Sequence, residues 1–149
     1  DKNFLRSWLR WLEKEGPEGF EPLPILSLVN DQEPTAELRP SGSKQTDEKD
    51  LMPYDVLDAI EKVAIRDKRT PEEVFILIKG MFGSKYTVED LKAWVKRFFR
   101  LWCINQWKRE RYAPSFHLDD ENLDPKTWCR FPILSGSFKQ ELQVLDNLE

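Results

Sequence analysis

Reactive side chains are scarce in this chain of 149 residues, which has two cysteines, Cys103 and Cys129, and one histidine, His117. Two thiols and one imidazole do not make a convincing zinc set, and they give no reason to invoke an oxidising compartment. Cys103 sits between Trp102 and Ile104 in a helical pattern and reads as a buried thiol without an activating partner. His117 has no nucleophile near it in sequence. Glycine is sparse too: the six stand apart at 16, 19, 42, 80, 83 and 136, and none forms a phosphate-binding loop. No apolar run is long enough to span a bilayer. Lys2, Arg6 and Arg10 lie inside an amphipathic N-terminal pattern, which argues against a signal peptide. The expectation is a cytoplasmic protein with no membrane partner. A net charge of −4 argues against a general nucleic-acid binder, although a local basic patch survives on an acidic chain. Asp119, Asp120, Glu121 and Asp124 lack the spacing and glycine of a calcium loop and read as a solvated acidic turn. No metal ligands are assigned, and no complete catalytic apparatus is present.

Aromatic residues, by contrast, are plentiful. Six Trp and nine Phe, in a chain that is 40% hydrophobic, supply an aromatic-rich core for a single domain. The chain is organised around the stretch from Thr87 to Ser115, TVEDLKAWVKRFFRLWCINQWKRERYAPS. Thr87 is a cap with Asp90 three residues on, and no Gly or Pro follows until Pro114. Leu91, Trp94, Val95, Phe98, Leu101, Trp102 and Gln106 recur at helical spacing, so the pattern predicts one long helix over 87–113. It ends in a basic patch, Lys108, Arg109 and Arg111, relieved by Glu110. Those cations either complement the negative end of the helix dipole or reach a phosphate. The helical pattern does not choose between them.

Four further helices are predicted. Asn3 caps a first one, with Phe4, Leu5, Trp8, Trp11 and Leu12 on one face and Gly16-Pro17 as its stop; that face is expected to pack into the core. Pro53 opens a second, with Val56, Leu57, Ile60, Val63 and Ala64 on its apolar side to about Arg66. Thr70-Pro71-Glu72-Glu73 starts a third, for which Gly80 suits the C-terminal cap. Phe138, Leu142 and Leu145 mark a closing helix after the irregular segment 114–137. Leu23 to Val29 is too short to type. From Asn30 to Asp50 the chain is polar, with Pro34, Pro40 and Gly42, and reads as a long loop of the kind that is functional or disordered. The fold class is therefore mainly α, about five helices with long loops and little strand.

Two blocks carry a family resemblance. PTAELRP at 34–40, followed by QTDEKDLMPYDVLD at 45–58, resembles the NAD synthetase loop that reads Pro-Ser/Thr-Ala-Asp/Glu-Leu before Gln-Thr-Asp-Glu and a tyrosine-led helix. VKRFFRLWCINQWKRERYAPSF at 95–116 resembles their C-terminal helix, where a His-Lys or aromatic-Lys pair precedes a basic residue and a proline. The likeness runs from about Ile25 onward, is densest at 33–58 and 94–134, and is strongest for the glutamine-dependent, two-domain members.

That resemblance implies an ATP-dependent ligase. Such enzymes adenylate the carboxylate of deamido-NAD with ATP and Mg2+, release pyrophosphate, and let ammonia displace AMP to form NAD; an amidohydrolase domain supplies the ammonia from glutamine. The adenylating domain is a Rossmann-like α/β fold of the adenine-nucleotide hydrolase type. Its Ser-Gly-Gly-x-Asp-Ser pyrophosphate loop and the amidohydrolase domain are both missing from this sequence. Residues 1–149 are thus expected to be the C-terminal part of the synthetase domain, with an ATP-side loop at 30–50, the long helix at 87–113 and a C-terminal segment at 114–149. By the same resemblance Thr35 stands at the ATP-contacting Ser/Thr position, where a hydroxyl donates to a phosphate oxygen. Lys108 stands at the Lys position that contacts deamido-NAD, as a point charge that overcomes the helix dipole with help from Arg109 or Arg111. Trp107 stands beside it where many members have His; indole stacks or donates one bond but neither accepts nor titrates, and packing is its other reading. No catalytic residue is assigned. Helices that cover a sheet expose an apolar face without it, so self-association into a homo-oligomer is expected. Two readings from other classes stay open: a helical protein-interaction module without catalysis, and single-stranded RNA binding through Trp107 and the Lys108–Arg111 patch, which the overall acidity opposes.

Overall fold

The computed structural model describes residues 2–32, 51–111, 124–134 and 137–148. Among these residues the chain is helical and has no strand. It divides into two compact units, Asp1–Asp58 and Ala59–Glu149.

In the first unit, α1 spans Lys2–Lys14, so Asn3 lies inside the helix instead of capping it. Gly16 closes α1 as the sequence predicts: at φ +73 it takes the left-handed conformation glycine tolerates, and the amides of Glu15 and Gly16 both reach the Trp11 carbonyl, at 2.8 and 3.1 Å. The untyped run 23–29 becomes a 3-10 turn, Pro24–Leu26, leading into the single-turn α2, Ser27–Asn30. Both pack on α1, tied by Leu23 N–H to the Leu12 carbonyl at 2.9 Å and by the Asn30 amide to the Glu13 carboxylate at 2.6 Å. The expected burial of the α1 aromatic face does not occur. Trp8 is 46% and Trp11 38% exposed, and Phe4 and Leu5 are exposed as well. Covering such side chains requires 150–250 Å2 of partner surface per aromatic. Two single turns cannot supply it, and they leave Ile25, Leu28 and Val29 exposed in turn.

Helix α3, Tyr54–Glu61, follows Pro53, whose carbonyl accepts the first helical bond from Leu57 N–H at 2.9 Å. Tyr54, Val56 and Ile60 are buried. The helix widens into a π turn, Lys62–Arg66, closed by Asp67 N–H to the Lys62 carbonyl at 3.0 Å, and this turn buries Val63, Ala64 and Ile65 in succession.

The described residues of the second unit include four further helices. α4, Pro71–Phe82, starts at the predicted capping box, with Thr70 Oγ accepting from Glu73 N–H and Glu73 accepting from Thr70 N–H at 2.9 Å. It runs through Gly80 and ends at Gly83, not at Gly80 as the sequence suggests. Gly83 donates its N–H to the Lys79 carbonyl at 2.9 Å, and a Cβ there would stand 2.6 Å from that oxygen, which suits glycine to the cap. α5, Val88–Ile104, is capped by Thr87, which accepts from Asp90 N–H at 3.1 Å, and it buries Leu91, Val95, Phe98, Phe99 and Cys103. α5 stops nine residues short of the predicted end at 113. Asn105, at φ −102 and ψ 11, breaks the helix, and a separate turn, α6 (Gln106–Arg109), follows. The closing helix α7, Lys139–Val144, and its 3-10 extension Leu145–Asn147 bury Leu142 and Leu145. α4 packs on α5 and α7. Phe99 meets Phe138 edge to face at 4.8 Å, Lys92 donates to the Leu148 carbonyl, and Lys96 pairs with Asp146. Among the described residues no helix is long and apolar enough to cross a membrane.

The Thr70 backbone bond, followed by its hydroxyl and Arg69, holds the Glu73 carboxyl below the usual glutamate range. Its stabilising contribution is therefore complete above the ordinary value of about 4.3 and lost as pH falls through the lower folded value. Thr70→Ala is expected to lower stability by about 1 kcal/mol at pH 7. Urea midpoints between pH 7 and 3 check both points: Glu73→Gln should flatten part of the acid-side fall, and an unchanged slope would refute the assignment.

Candidate functional site

The predicted basic patch lies just beyond the α5 break, and the break sorts its members. The apolar stripe of α5 continues through Trp102 to Gln106 and, at the same spacing, to Arg109. Both polar residues are buried, at 2% and 7% exposure. Gln106 donates its side-chain amide to the Trp102 carbonyl at 2.7 Å, in the last turn of α5, where carbonyls have lost their helical partners. Its oxygen accepts from Arg109 Nη1 at 2.7 Å, and Arg109 Nη2 donates to the Cys129 carbonyl at 2.7 Å. The guanidinium carbon lies 4.3 Å from the centre of the Trp102 ring. Trp102 in turn stacks with Phe98 at 6.3 Å and meets Phe131 edge-on at 6.2 Å, and Phe131 stacks with Phe138 at 6.0 Å. Arg109 is thus the rivet between α6 and the 128–131 segment, not a member of a solvated patch. The help for Lys108 expected from Arg109 is not available; Arg111 is the neighbour that remains.

Trp107 and Lys108 point the other way. Both are exposed, Trp107 by 45%. The Lys108 ammonium lies 5.7 Å and the Arg111 guanidinium 5.2 Å from the Trp107 ring centre. Contacts of this kind at exposed sites are worth about 0.5–1 kcal/mol each, so either cation leaves the ring at small cost. The arrangement offers an aromatic face for a planar ring and two mobile positive charges for phosphate.

The remaining predicted residues divide cleanly. Thr35, His117, Asp119, Asp120 and Glu121 lie outside the described residues. Asp124 accepts from Lys126 N–H at 2.9 Å in a turn. Cys103 is buried as expected, Cys129 is half-buried, and both are free thiols. Among the described residues no group of three or more His, Cys, Asp or Glu is placed to hold a metal ion. A shallow cavity of about 280 Å3 on α4 is lined by Arg69, Glu73, Ile76 and Leu77, but its two charged side chains pair with each other at 3.1 Å. Gln106 and Arg109 are the residues sequence reasoning missed as a structural pair. The signal was present in the spacing 102, 106, 109, which places Arg109 on the buried stripe.

Arg109→Ala is expected to cost about 2–3 kcal/mol, because it strands the buried Gln106 oxygen and the Cys129 carbonyl, whereas Lys108→Ala should stay within about 0.5 kcal/mol. Urea denaturation of the two variants checks the contrast; equal losses would refute the inward assignment.

A family model described as NAD synthase matches residues 14–110. A Saccharomyces cerevisiae glutamine-dependent NAD(+) synthetase is 32% identical over 115 residues, covering 75% of this chain and 16% of its own. One from Thermotoga maritima is 36% identical over 109 residues, covering 73% and 16%. The crystal structure of a glutamine-dependent NAD(+) synthetase from Cytophaga hutchinsonii superposes with a TM-score of 0.72 at 46% identity, over 98% of this chain and 21% of that one. The chain spans about a fifth of the length of the proteins it matches.

Proposed function

The chain belongs to the NAD synthase family, and from that premise we propose that it serves as the C-terminal part of the ATP-dependent amidation domain of a glutamine-dependent NAD synthetase. The observation that carries this reading is the exposed Trp107–Lys108 pair, held outward by the buried Gln106 and Arg109, within the matched residues. Lys108 contacts a phosphate or ribose of deamido-NAD, with Arg111 as second cation and Trp107 as the flanking aromatic. Thr35 contacts ATP from the 30–50 loop. The deamido-NAD carboxylate attacks the α-phosphorus of ATP, pyrophosphate leaves, and ammonia derived from glutamine then displaces AMP to give the amide. The residues described contribute binding and orientation to that sequence and no proton transfer. Mg2+ would offset charge on the ATP phosphates, and no residue of this chain is assigned to it. The exposed α1 face and the 24–29 segment support a second element of the reading: these helices cover a Rossmann-like α/β layer, or a further copy, supplied by the rest of a cytoplasmic homo-oligomer. On this reading the chain alone forms no NAD.

Two experiments test it. In the full-length enzyme, Lys108→Ala should raise KM for deamido-NAD by about tenfold or more, the size of a lost charge-assisted bond, and Thr35→Ala should raise KM for ATP; unmoved constants would sink the site assignment. An antibody to this chain should also detect a native product far larger than 17.7 kDa. A band at that mass would transfer the lead to the helical interaction module.

A further inference from the structure

The break at Asn105 raises a mechanical question. A four-residue helix has no stiffness of its own, because nucleation fixes several dihedrals for one hydrogen bond. Something else must fix the direction in which Trp107 and Lys108 project. Backbone bonds from Lys108 N–H to the Asn105 carbonyl at 2.9 Å and from Arg111 N–H to the Lys108 carbonyl at 3.2 Å shape the turn but do not orient it. The two side chains that flank the exposed pair do. Gln106 ties the turn back to α5 through the Trp102 carbonyl, and Arg109 ties it sideways to Cys129. The guanidinium is also held against the Trp102 ring, which is locked by Phe98 and Phe131.

We propose that Arg109, acting with Gln106, is a positioning residue for the dinucleotide site: it sets the angle of α6 and so places Lys108 and Trp107 without touching the ligand. This rests on the reading of Lys108 as a deamido-NAD contact. A planar fork is required, since Nη1 and Nη2 serve Gln106 and Cys129 at once, at 2.7 Å each. A lysine ammonium keeps the charge but has no such fork, so Arg109→Lys is not conservative here.

The test is a double-mutant cycle on KM for deamido-NAD in the full-length synthetase, with Lys108→Ala, Arg109→Gln and the pair combined, and KM for ATP alongside. Both single variants should raise KM for deamido-NAD about tenfold while KM for ATP holds. The double variant should be no worse than Lys108→Ala alone, because Arg109 acts through Lys108. A purely structural role would lower the active fraction and kcat and leave KM unmoved. Where Arg109→Gln does not fold, Arg109→Lys gives the same reading, with a smaller rise in KM expected. If Lys108→Ala raises KM and neither Arg109 variant does, or if the two effects multiply, the positioning role falls and the site stands. If Lys108→Ala leaves KM unchanged, the site reading fails and the proposal with it.

Discussion

The candidate site depends on one buried cation. Removing a guanidinium from water is costly unless its donors are satisfied and its face is covered. Arg109 meets both conditions, with two carbonyl-type acceptors at 2.7 Å and the Trp102 ring centre 4.3 Å from its guanidinium carbon. The same contacts that solvate the charge join three separate pieces of chain: the end of α5, the α6 turn and the 128–131 segment. The aromatic series from Phe98 through Trp102, Phe131 and Phe138 to Phe99 extends that junction into the helices of the second unit. The exposed cations are therefore mounted on packed structure, although the turn that carries them is only four residues long.

The first unit has the opposite character. Its hydrogen bonds are local and well formed, yet its largest apolar side chains face solvent. Phe4, Leu5, Trp8 and Trp11 form an exposed apolar stripe along α1, and contiguous apolar faces of this kind mark interaction surfaces. The layer proposed to cover these helices would bury that stripe. Periodicity shows which face is apolar, and is silent about what covers that face.

This division explains how far the sequence could be read. Local chemistry was legible. The Thr70–Glu73 box, the Thr87 cap and the Gly16 stop each involve residues within five positions of one another, and each is where propensity places it. The end of α5 was not legible, because neither Asn105 nor Gln106 is a strong helix breaker. The turn beyond it is tied by the tertiary bond from Arg109 to Cys129, twenty residues on, which no local pattern displays. Arg109 itself was misplaced because a charged residue near other charges reads as surface, even though its spacing from Trp102 and Gln106 put it on the buried stripe. Lys108 and Trp107 came from family resemblance; their exposure and mutual geometry came from the structure.

The π turn at Lys62–Arg66 has a consequence for length variation. Its closing bond spans one residue more than an α-helical one; beyond it Lys68 takes the left-handed conformation, φ 55, with its ammonium 4.9 Å from the Trp128 ring. Excising a single residue there would remove the wide turn closed by Asp67 N–H on the Lys62 carbonyl. It would also rotate all that follows by about a quarter turn, changing the burial of the 63–65 run and misdirecting the cap at Thr70. A stretch that looks like an unremarkable helix end is thus a register-keeping element, intolerant of insertion or deletion where substitution of its exposed side chains would pass unnoticed.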